Sequence, residues 1–281
     1  MEPIPKTVSR TWRTVHEDLT DEQWGLICDL LPSYSGPGMI GRPTKWDKRD
    51  IVNAILYVDA TGCQWRALPA CYPHWNTVHR YHVKWSENGT WELVCGRLRE
   101  MVRIREGRDP EPSAGAIDAR SVRGAATVTS PTRGYDAGKK ISGRKVFGIV
   151  DTLGLLLTVV IVAANFSDNA GGIAAVEKAS PHRSRLSMLW CDGGFKNAFA
   201  AACKAHGITA EVVKRIVDHS FEVLPHRWVV ERTWSWLMCH RRLQVDYERK
   251  PKVTEGFIWA AHAHLLLRRL TEPPEKQVAL V

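Results

Sequence analysis

The apolar run LGLLLTVVIVAA at residues 153–164 is the feature that most constrains what this chain can fold into. Its 12 residues are too few to cross a bilayer as a helix, which takes about 20. The run is rich in β-branched side chains, which pack well on a pleated surface. Its nearly continuous apolar character predicts a strand that is buried on both faces, inside a sheet covered by helices.

The pattern around this run predicts an α/β domain at residues 116–281. Apolar segments alternate there with segments of helical period, which is typical of a mixed sheet with helices on its faces. The predicted strands are 116–124, 146–151, 155–165, 188–195 and 209–216. The predicted helices are 169–180, 196–207, the tryptophan-rich segment 226–237 and a packing helix that contains AAHAHLLLRRL.

Residues 1–106 have a different character and predict an all-helical domain. Apolar side chains recur there at helical spacing, between capping residues and helix-stopping Gly or Pro residues. The predicted helices are 19–32, 47–62, 74–89 and 90–106, with a Gly/Pro-rich loop at 33–45. The segment GRDPEPSAG at 107–115 is predicted to be the hinge between the two domains.

The chain is strongly basic, with a formal net charge of +9 and a pI of about 9.3. Such an excess favours a polyanionic partner, usually nucleic acid, although a merely basic soluble protein is the alternative. The predicted helix 74–89 places His79, Arg80 and Lys84 among aromatic residues. This arrangement favours a helix-turn-helix DNA reader, and the alternative is a helical bundle whose basic residues are only solvated.

The seven cysteines argue against a disulfide framework and against a zinc ribbon, because their number is odd and no C-x-x-C pair occurs. Reduced thiols in a cytoplasmic protein are the simplest interpretation. The first residues, MEPIPKTVSRTWR, contain no apolar stretch typical of a signal peptide. We therefore expect a cytoplasmic chain that does not associate with a membrane.

Three carboxylates are the candidates for chemistry. Asp118 lies on the first predicted strand, Asp192 ends the fourth and is followed by two glycines, and Glu231 lies on the tryptophan-rich helix. Carboxylates at strand ends point into the ligand-binding crevice of an α/β sheet. Three hard oxygen donors that converge on one point are typical of a site for Mg²⁺ or Mn²⁺.

Each carboxylate also has a simpler interpretation. An aspartate at the end of a strand can cap the following turn. Glu231 can pair with Arg227, four positions before it on the same helix. The three together, on a basic chain, are a more specific signal than any one of them.

Seven phrases carry a resemblance that covers about residues 17–270. They are LTDEQW, GRPTKWDKRDIVNAILYVDATGCQWRALP, YPHWNTVHRYHVKW, AIDARSVRG, GYDAGKKISGRKVFGIVDTLGLLLTVV, WCDGGFKN and RWVVERTWSWLMCHRRLQVDYE. Through them the chain resembles bacterial insertion-sequence transposases of the DDE class, in the insertion-sequence-five family. It departs from the signature of that family at Leu224 and Met238, where the family has Tyr and Lys.

The resemblance implies a ribonuclease-H-like mixed sheet with flanking helices, preceded by a helix-turn-helix-like DNA-binding domain. It implies that Asp118, Asp192 and Glu231 are the catalytic triad and hold two Mg²⁺ or Mn²⁺ ions. The implied reaction is metal-dependent cleavage and strand transfer at the terminal inverted repeats of an insertion sequence. The implied partners are double-stranded DNA, both terminal repeats and target, and further copies of the chain in a homodimer or higher oligomer.

The predicted DNA-contacting residues are basic side chains from the helical domain, from the loop after the first strand and from the tryptophan-rich helix and its C-terminal extension. They are His79, Arg80, Lys84, Lys139, Lys140, Arg144, Arg227, Arg241 and Arg242. Two alternative functions remain open from the sequence. One is an inactive or domesticated transposase that acts as a DNA-binding regulator, and the other is a stand-alone ribonuclease-H-like nuclease.

Overall fold

The computed structural model describes residues 18–34, 46–179, 184–213 and 227–272. Most of the predicted loop at 33–45 lies outside these ranges, and so does Leu224. None of the helices in the described ranges is long and apolar enough to cross a membrane.

Four helices form the N-terminal layer. They are α1 (Asp21–Gly25), α2 (Lys48–Thr61), α3 (Trp75–Glu87) and α4 (Thr90–Arg105). The local sequence explains their ends: Thr20 closes a capping box on α1, the side chain of Asp47 caps α2, and Gly62 ends α2 in the left-handed conformation. The spans predicted for α2, α3 and α4 are confirmed to within two residues, whereas α1 is much shorter than the predicted 19–32.

The connection from α2 to α3 is long. It runs from residue 62 to residue 74 and contains a 3₁₀ helix, Trp65–Ala67. A helix-turn-helix motif joins its two helices by a turn of about 3–4 residues. DNA binding by α3 therefore stays a prediction that rests on its charge and not on a tight turn.

The second half of the chain forms a seven-stranded mixed sheet with helices on its faces, as predicted. The strands are β1 (Ala114–Gly124), β2 (Gly134–Asp136), β3 (Ile141–Asp151), β4 (Leu156–Ala163), β5 (Met188–Cys191), β6 (Thr209–Val212) and β7 (Val245–Asp246). The helices are α5 (Asp168–Ala179), α6 (Asn197–Ala205), α7 (Trp228–Leu237) and α8 (Pro251–Thr271). The sequence did not predict β2 or β7, and β3 begins five residues earlier than the predicted 146–151.

The strand order is β2-β3-β1-β5-β6, with β4 also paired to β3 and β7 also paired to β1. Strands β1 to β4 pair antiparallel through β3, whereas β5 and β7 run parallel to β1, and β6 runs parallel to β5. Because β1 pairs β5 only at residues 114–116 and β7 only at 123–124, its residues 117–122 have no strand partner on that side among the described strands. This interval is referred to below as the open edge of β1.

Alternation along β1 assigns its side chains to the two layers of the molecule. Ala116 and Val122 belong to the apolar cluster that includes α7, α8 and the N-terminal helices. Ile117 and Ala119 face the other cluster, which α5 and α6 cover. Asp118 and Arg120 therefore lie on the side of the sheet that carries α7.

Helix α8 joins the N-terminal helices to the sheet. It packs on α2, α3, α4 and β4, so one apolar cluster extends across the predicted hinge at 107–115. At its closest approach to α3, Gly256 leaves no space for a side chain beside Ser86. The division into domains 1–106 and 116–281 stays a prediction, and within the described residues the two parts share a core.

The packing of α7 on the sheet predicts an effect of enlarging Gly148 on β3. A Cβ atom there would lie 2.6 Å from Cζ2 of Trp234 on α7, which is closer than van der Waals contact permits. We expect Gly148→Ala to lower the free energy of unfolding by about 1–3 kcal/mol, as measured by urea denaturation.

The control is Gly96→Ala in the middle of α4, where the nearest atom to an added Cβ lies at 3.7 Å. This change should be neutral or stabilising by up to about 1 kcal/mol, because Ala favours a helix over Gly. Equal stability of the two variants would contradict the packing of Trp234 against β3.

Candidate active site

Parallel pairing of β1 and β5 brings two of the predicted carboxylates together. Ala116 of β1 is opposite Trp190 of β5, so Asp118 and Asp192, two residues further along each chain, lie at the same edge of the sheet. The turn after β5 orients the second carboxylate, because the backbone amide of Gly194 donates a hydrogen bond to Oδ1 of Asp192 over 2.8 Å. A Cβ at position 194 would lie 2.9 Å from that oxygen, which explains the glycine.

Glu231 reaches the same place from α7. This helix buries Val229, Val230, Trp234 and Leu237, while the Glu231 side chain is 62% exposed. The Thr233 hydroxyl donates to the carbonyl oxygen of Gly154 over 2.7 Å and so ties α7 to the β3–β4 turn. The buried face fixes the helix against the sheet, and Glu231 extends from its opposite side.

The guanidinium of Arg227 lies at the point where the three carboxylates converge. Its Nη2 atom is 4.0 Å from Oδ1 of Asp118, 3.7 Å from Oδ2 of Asp192 and 3.8 Å from Oε1 of Glu231. Its side chain is 11% exposed. Residues that are far apart in sequence are therefore gathered around one cationic nitrogen, and the predicted DNA-contacting residue Arg227 pairs internally in this structure.

The environment of Asp118 favours its neutral form. Burial, helped by the neighbouring charge of Asp192, raises the pKa of this carboxyl to about 6, although the backbone of Ala119 and the charges of Arg227 and Lys139 lower it. A cation close to Asp118 favours the ionised form and so offsets part of the effect of burial. Lys139 approaches from the β2–β3 loop and donates from Nζ to the carbonyl oxygen of Ala119 over 3.0 Å.

The remaining predicted DNA-contacting residues differ in their exposure. Arg80, Lys140 and Arg241 are exposed, and Lys140 has a positive φ of 54° at the end of the β2–β3 loop. Lys84 is also exposed, with its ammonium 4.2 Å from the ring centre of Tyr34. His79 packs edge-on against the Trp65 ring, and burial lowers its pKa.

Arg144 and Arg242 differ from the exposed members of the predicted DNA-contacting set, because both are buried. Arg144 is fully buried and donates to Oδ2 of Asp246 over 2.8 Å, as well as to backbone oxygens of the segment before α8. Arg242 is buried and forms an ion pair with Glu248. Both guanidinium groups are buried and form ion pairs inside the fold, so in this structure neither is available to a phosphate.

One charged residue near the site was missed in the sequence. Arg120 lies two residues after Asp118 on the same face of β1. The period-two alternation of a strand could have indicated it, because residues i and i+2 share a face.

The carboxylates fit a divalent cation by their chemistry. Within the ranges that the structure describes, no three His, Cys, Asp or Glu side chains are close enough to bind a metal ion together. Even so, Asp118, Asp192 and Glu231 already surround one cationic nitrogen, and carboxylate oxygens are the donors that Mg²⁺ and Mn²⁺ prefer.

Comparison with known proteins agrees with this geometry. Residues 109–266 match the family described as a transposase DDE domain, and this match includes all three carboxylates. The chain belongs to this family of DDE transposases. Residues 19–95 match the family described as a putative transposase of the IS4/5 family, so the resemblance inferred from the sequence is confirmed.

A curated relative of this DDE transposase supports the same conclusion. The chain is 27% identical over 124 residues to the putative transposase for insertion sequence element IS402 of Burkholderia cepacia. The alignment covers 41% of this chain and 59% of the relative, so the chain spans less than two thirds of that protein. A DDE domain implies the ribonuclease-H-like fold, and DDE domains use divalent metal ions.

The structural assignment of Arg144 in this DDE transposase predicts a large effect on folding. Arg144→Met would leave the carboxylate of Asp246 buried without its cation. We expect a loss of about 3–5 kcal/mol in the free energy of unfolding, measured by urea denaturation.

The matched variant is Arg241→Met, which removes the same charge from an exposed side chain. Its free energy of unfolding should stay within about 0.5 kcal/mol of the unchanged chain. A stable Arg144→Met variant with weakened DNA binding would instead restore Arg144 to the DNA-contacting set.

Proposed function

We propose that this chain is a transposase that binds the terminal inverted repeats of an insertion sequence and cleaves and transfers DNA strands with divalent metal ions. The observation that carries the proposal is the convergence of Asp118, Asp192 and Glu231 on one point, from two adjacent parallel strands and a helix. Membership of the DDE transposase family supports it.

Asp118, Asp192 and Glu231 would hold the ions, with two Mg²⁺ or Mn²⁺ ions expected. When bound, such ions supply Lewis-acid activation of a water or a DNA 3′-hydroxyl and stabilise the leaving oxygen of an in-line displacement. The carboxylates act as ligands and form no covalent bond to the DNA. Their positions are set by β1, by the turn after β5 and by the buried face of α7, so that the site is organised before the substrate arrives.

The cations around this site have separate tasks in the proposal. Arg227 lies one turn before Glu231 and would contact the phosphate being cleaved once the carboxylates have bound metal ions. Lys139 and Lys140 in the β2–β3 loop, with Arg80 and Lys84 on α3, contribute phosphate contacts further from the reaction.

The proposed partner is double-stranded DNA, both the terminal repeats and the target. The net charge of +9 supports such a partner through neutralisation of phosphates. Since two ends of one element have to be joined to a target, at least a homodimer is expected in the active complex. A role as an inactive DNA-binding regulator is less favoured, because all three carboxylates are present and brought together.

The proposal predicts metal-dependent cleavage that the carboxylates control. Asp118→Asn, Asp192→Asn and Glu231→Gln should each abolish cleavage of labelled duplex DNA that carries the terminal inverted repeats, in Mg²⁺ or Mn²⁺. Each variant should also weaken Mn²⁺ binding, measured by calorimetry, because an oxygen ligand becomes a neutral amide. DNA binding by the helical layer should persist, measured by fluorescence anisotropy.

Glu177→Gln on α5 is the control, since this exposed carboxylate lies on a different helix from the site and should leave both cleavage and Mn²⁺ binding unchanged. Cleavage by the Asp118→Asn variant at the rate of the unchanged chain would exclude the proposed triad. Metal-independent cleavage would exclude the proposed reaction.

A further inference from the structure

Arg120 is a partly buried cation whose position next to the carboxylates calls for a ligand. On β1 it shares a face with Asp118, and it points toward α7. Together with Trp234 of α7 and Met238, which follows that helix, it lines a small cavity of about 20 Å³, which has room for about one water molecule. The Arg120 side chain thus lies next to Asp118 on β1 and against the C-terminal end of α7.

Within the parts of the chain that the structure describes, Arg120 forms no hydrogen bond and no ion pair, and its Nε atom is buried without a partner. This separates it from Arg144 and Arg242, whose guanidinium groups are paired with Asp246 and Glu248. Removing a cation from water without supplying a partner is unfavourable. Folded chains keep such a group mainly where function requires it.

The backbone at Arg120 has no strand partner on one side among the described strands. It belongs to the open edge of β1, which lies between the end of β5 and the start of β7. Asp118 is on the same edge, and Lys139 reaches the carbonyl oxygen of Ala119 between them. Two basic side chains therefore lie next to β1 immediately after Asp118. Arg120 belongs to β1 itself, and Lys139 comes from the β2–β3 loop.

We propose that Arg120 binds a phosphate of the DNA strand that lies along the open edge of β1. Its guanidinium would donate to the non-bridging oxygens of a phosphodiester next to the one held at the carboxylates. Arg120 is about 7 Å from Asp118 along β1. The carboxylate site and Arg120 would therefore contact neighbouring phosphates of one DNA strand. A phosphodiester fits because the planar guanidinium presents paired donors to its oxygens. This inference rests on the proposed function.

The test combines charge removal on the protein with charge removal on the DNA. A set of duplexes that carry the terminal inverted repeats is prepared. Each duplex has one neutral methylphosphonate, at a different phosphate position around the cleavage site. For the unchanged chain, neutralising the contacted phosphate should lower kcat/KM roughly tenfold, in keeping with the loss of one charge-assisted hydrogen-bonded contact. Arg120→Gln should show a similar loss on unmodified DNA, with most of it in KM, and no further loss at that phosphate.

Two further variants separate a phosphate contact from a general charge effect. Arg120→Lys retains the positive charge and should recover part of the affinity. Arg123→Gln removes the same charge from an exposed residue on the opposite face of β1, and should keep the methylphosphonate pattern of the unchanged chain. For Arg120→Gln, the slope of log K for DNA binding against log salt concentration should become shallower by about one, because one phosphate fewer is neutralised and about one counterion fewer is released.

Thermal unfolding distinguishes this role from a structural one. Since Arg120 forms no hydrogen bond and no ion pair within the described residues, and only the charge of Asp118 there offsets its burial, Arg120→Gln should keep or raise Tm. The inference is overturned if Tm falls by several degrees, or if the methylphosphonate pattern of Arg120→Gln equals that of the unchanged chain. If the unchanged chain itself fails to cleave terminal-repeat DNA with Mg²⁺ or Mn²⁺, the proposed function fails together with this inference.

Discussion

The short parallel pairing between β1 and β5 is the constraint on which the site depends. Only residues 114–116 of β1 pair with β5, yet this register places Asp118 beside Asp192. Because β5 ends at Cys191, its chain turns away where the carboxylates begin. The same early ending leaves the open edge of β1, so one feature of the sheet both assembles the carboxylates and leaves the strand next to them without a strand partner on that side among the described strands.

Buried ion pairs hold the layers around this pairing. Arg144 joins β3 to Asp246 of β7, and Arg103 of α4 pairs with Asp151 at the end of β3. Such pairs are costly to form but more costly to break, because removal of one partner leaves an unpaired buried charge. They also show that a net charge does not locate a DNA-binding surface. Several cations of this chain are already paired inside it, and those available to phosphate are a smaller set.

Much of the fold could be predicted from local signals. Asp47 before α2 and Gly62 after it mark the ends of that helix, and β-branched runs mark β3 and β4. The strands β2 and β7 were not predictable, because segments of two or three residues carry no periodicity and exist only through pairing with distant strands. The same non-local cause explains Arg144: nothing near it in sequence indicates Asp246, 102 positions away.

The candidate site was predictable as a set of residues but not as a geometry. The three carboxylates follow from the strand and helix pattern together with the family resemblance. Their exposure increases from Asp118 at 21% through Asp192 at 37% to Glu231 at 62%, which sequence alone does not show. The crevice is therefore deepest at β1 and opens along α7.

This gradient has an electrostatic consequence. Three like charges within reach of one point repel each other, and burial raises the pKa of the most buried of them, Asp118, to about 6. A cation among the carboxylates reduces this repulsion, and here Arg227 supplies it. Because Arg227 immediately precedes α7, the cation that balances the cluster also holds the first turn of the helix, and therefore Glu231, against the sheet.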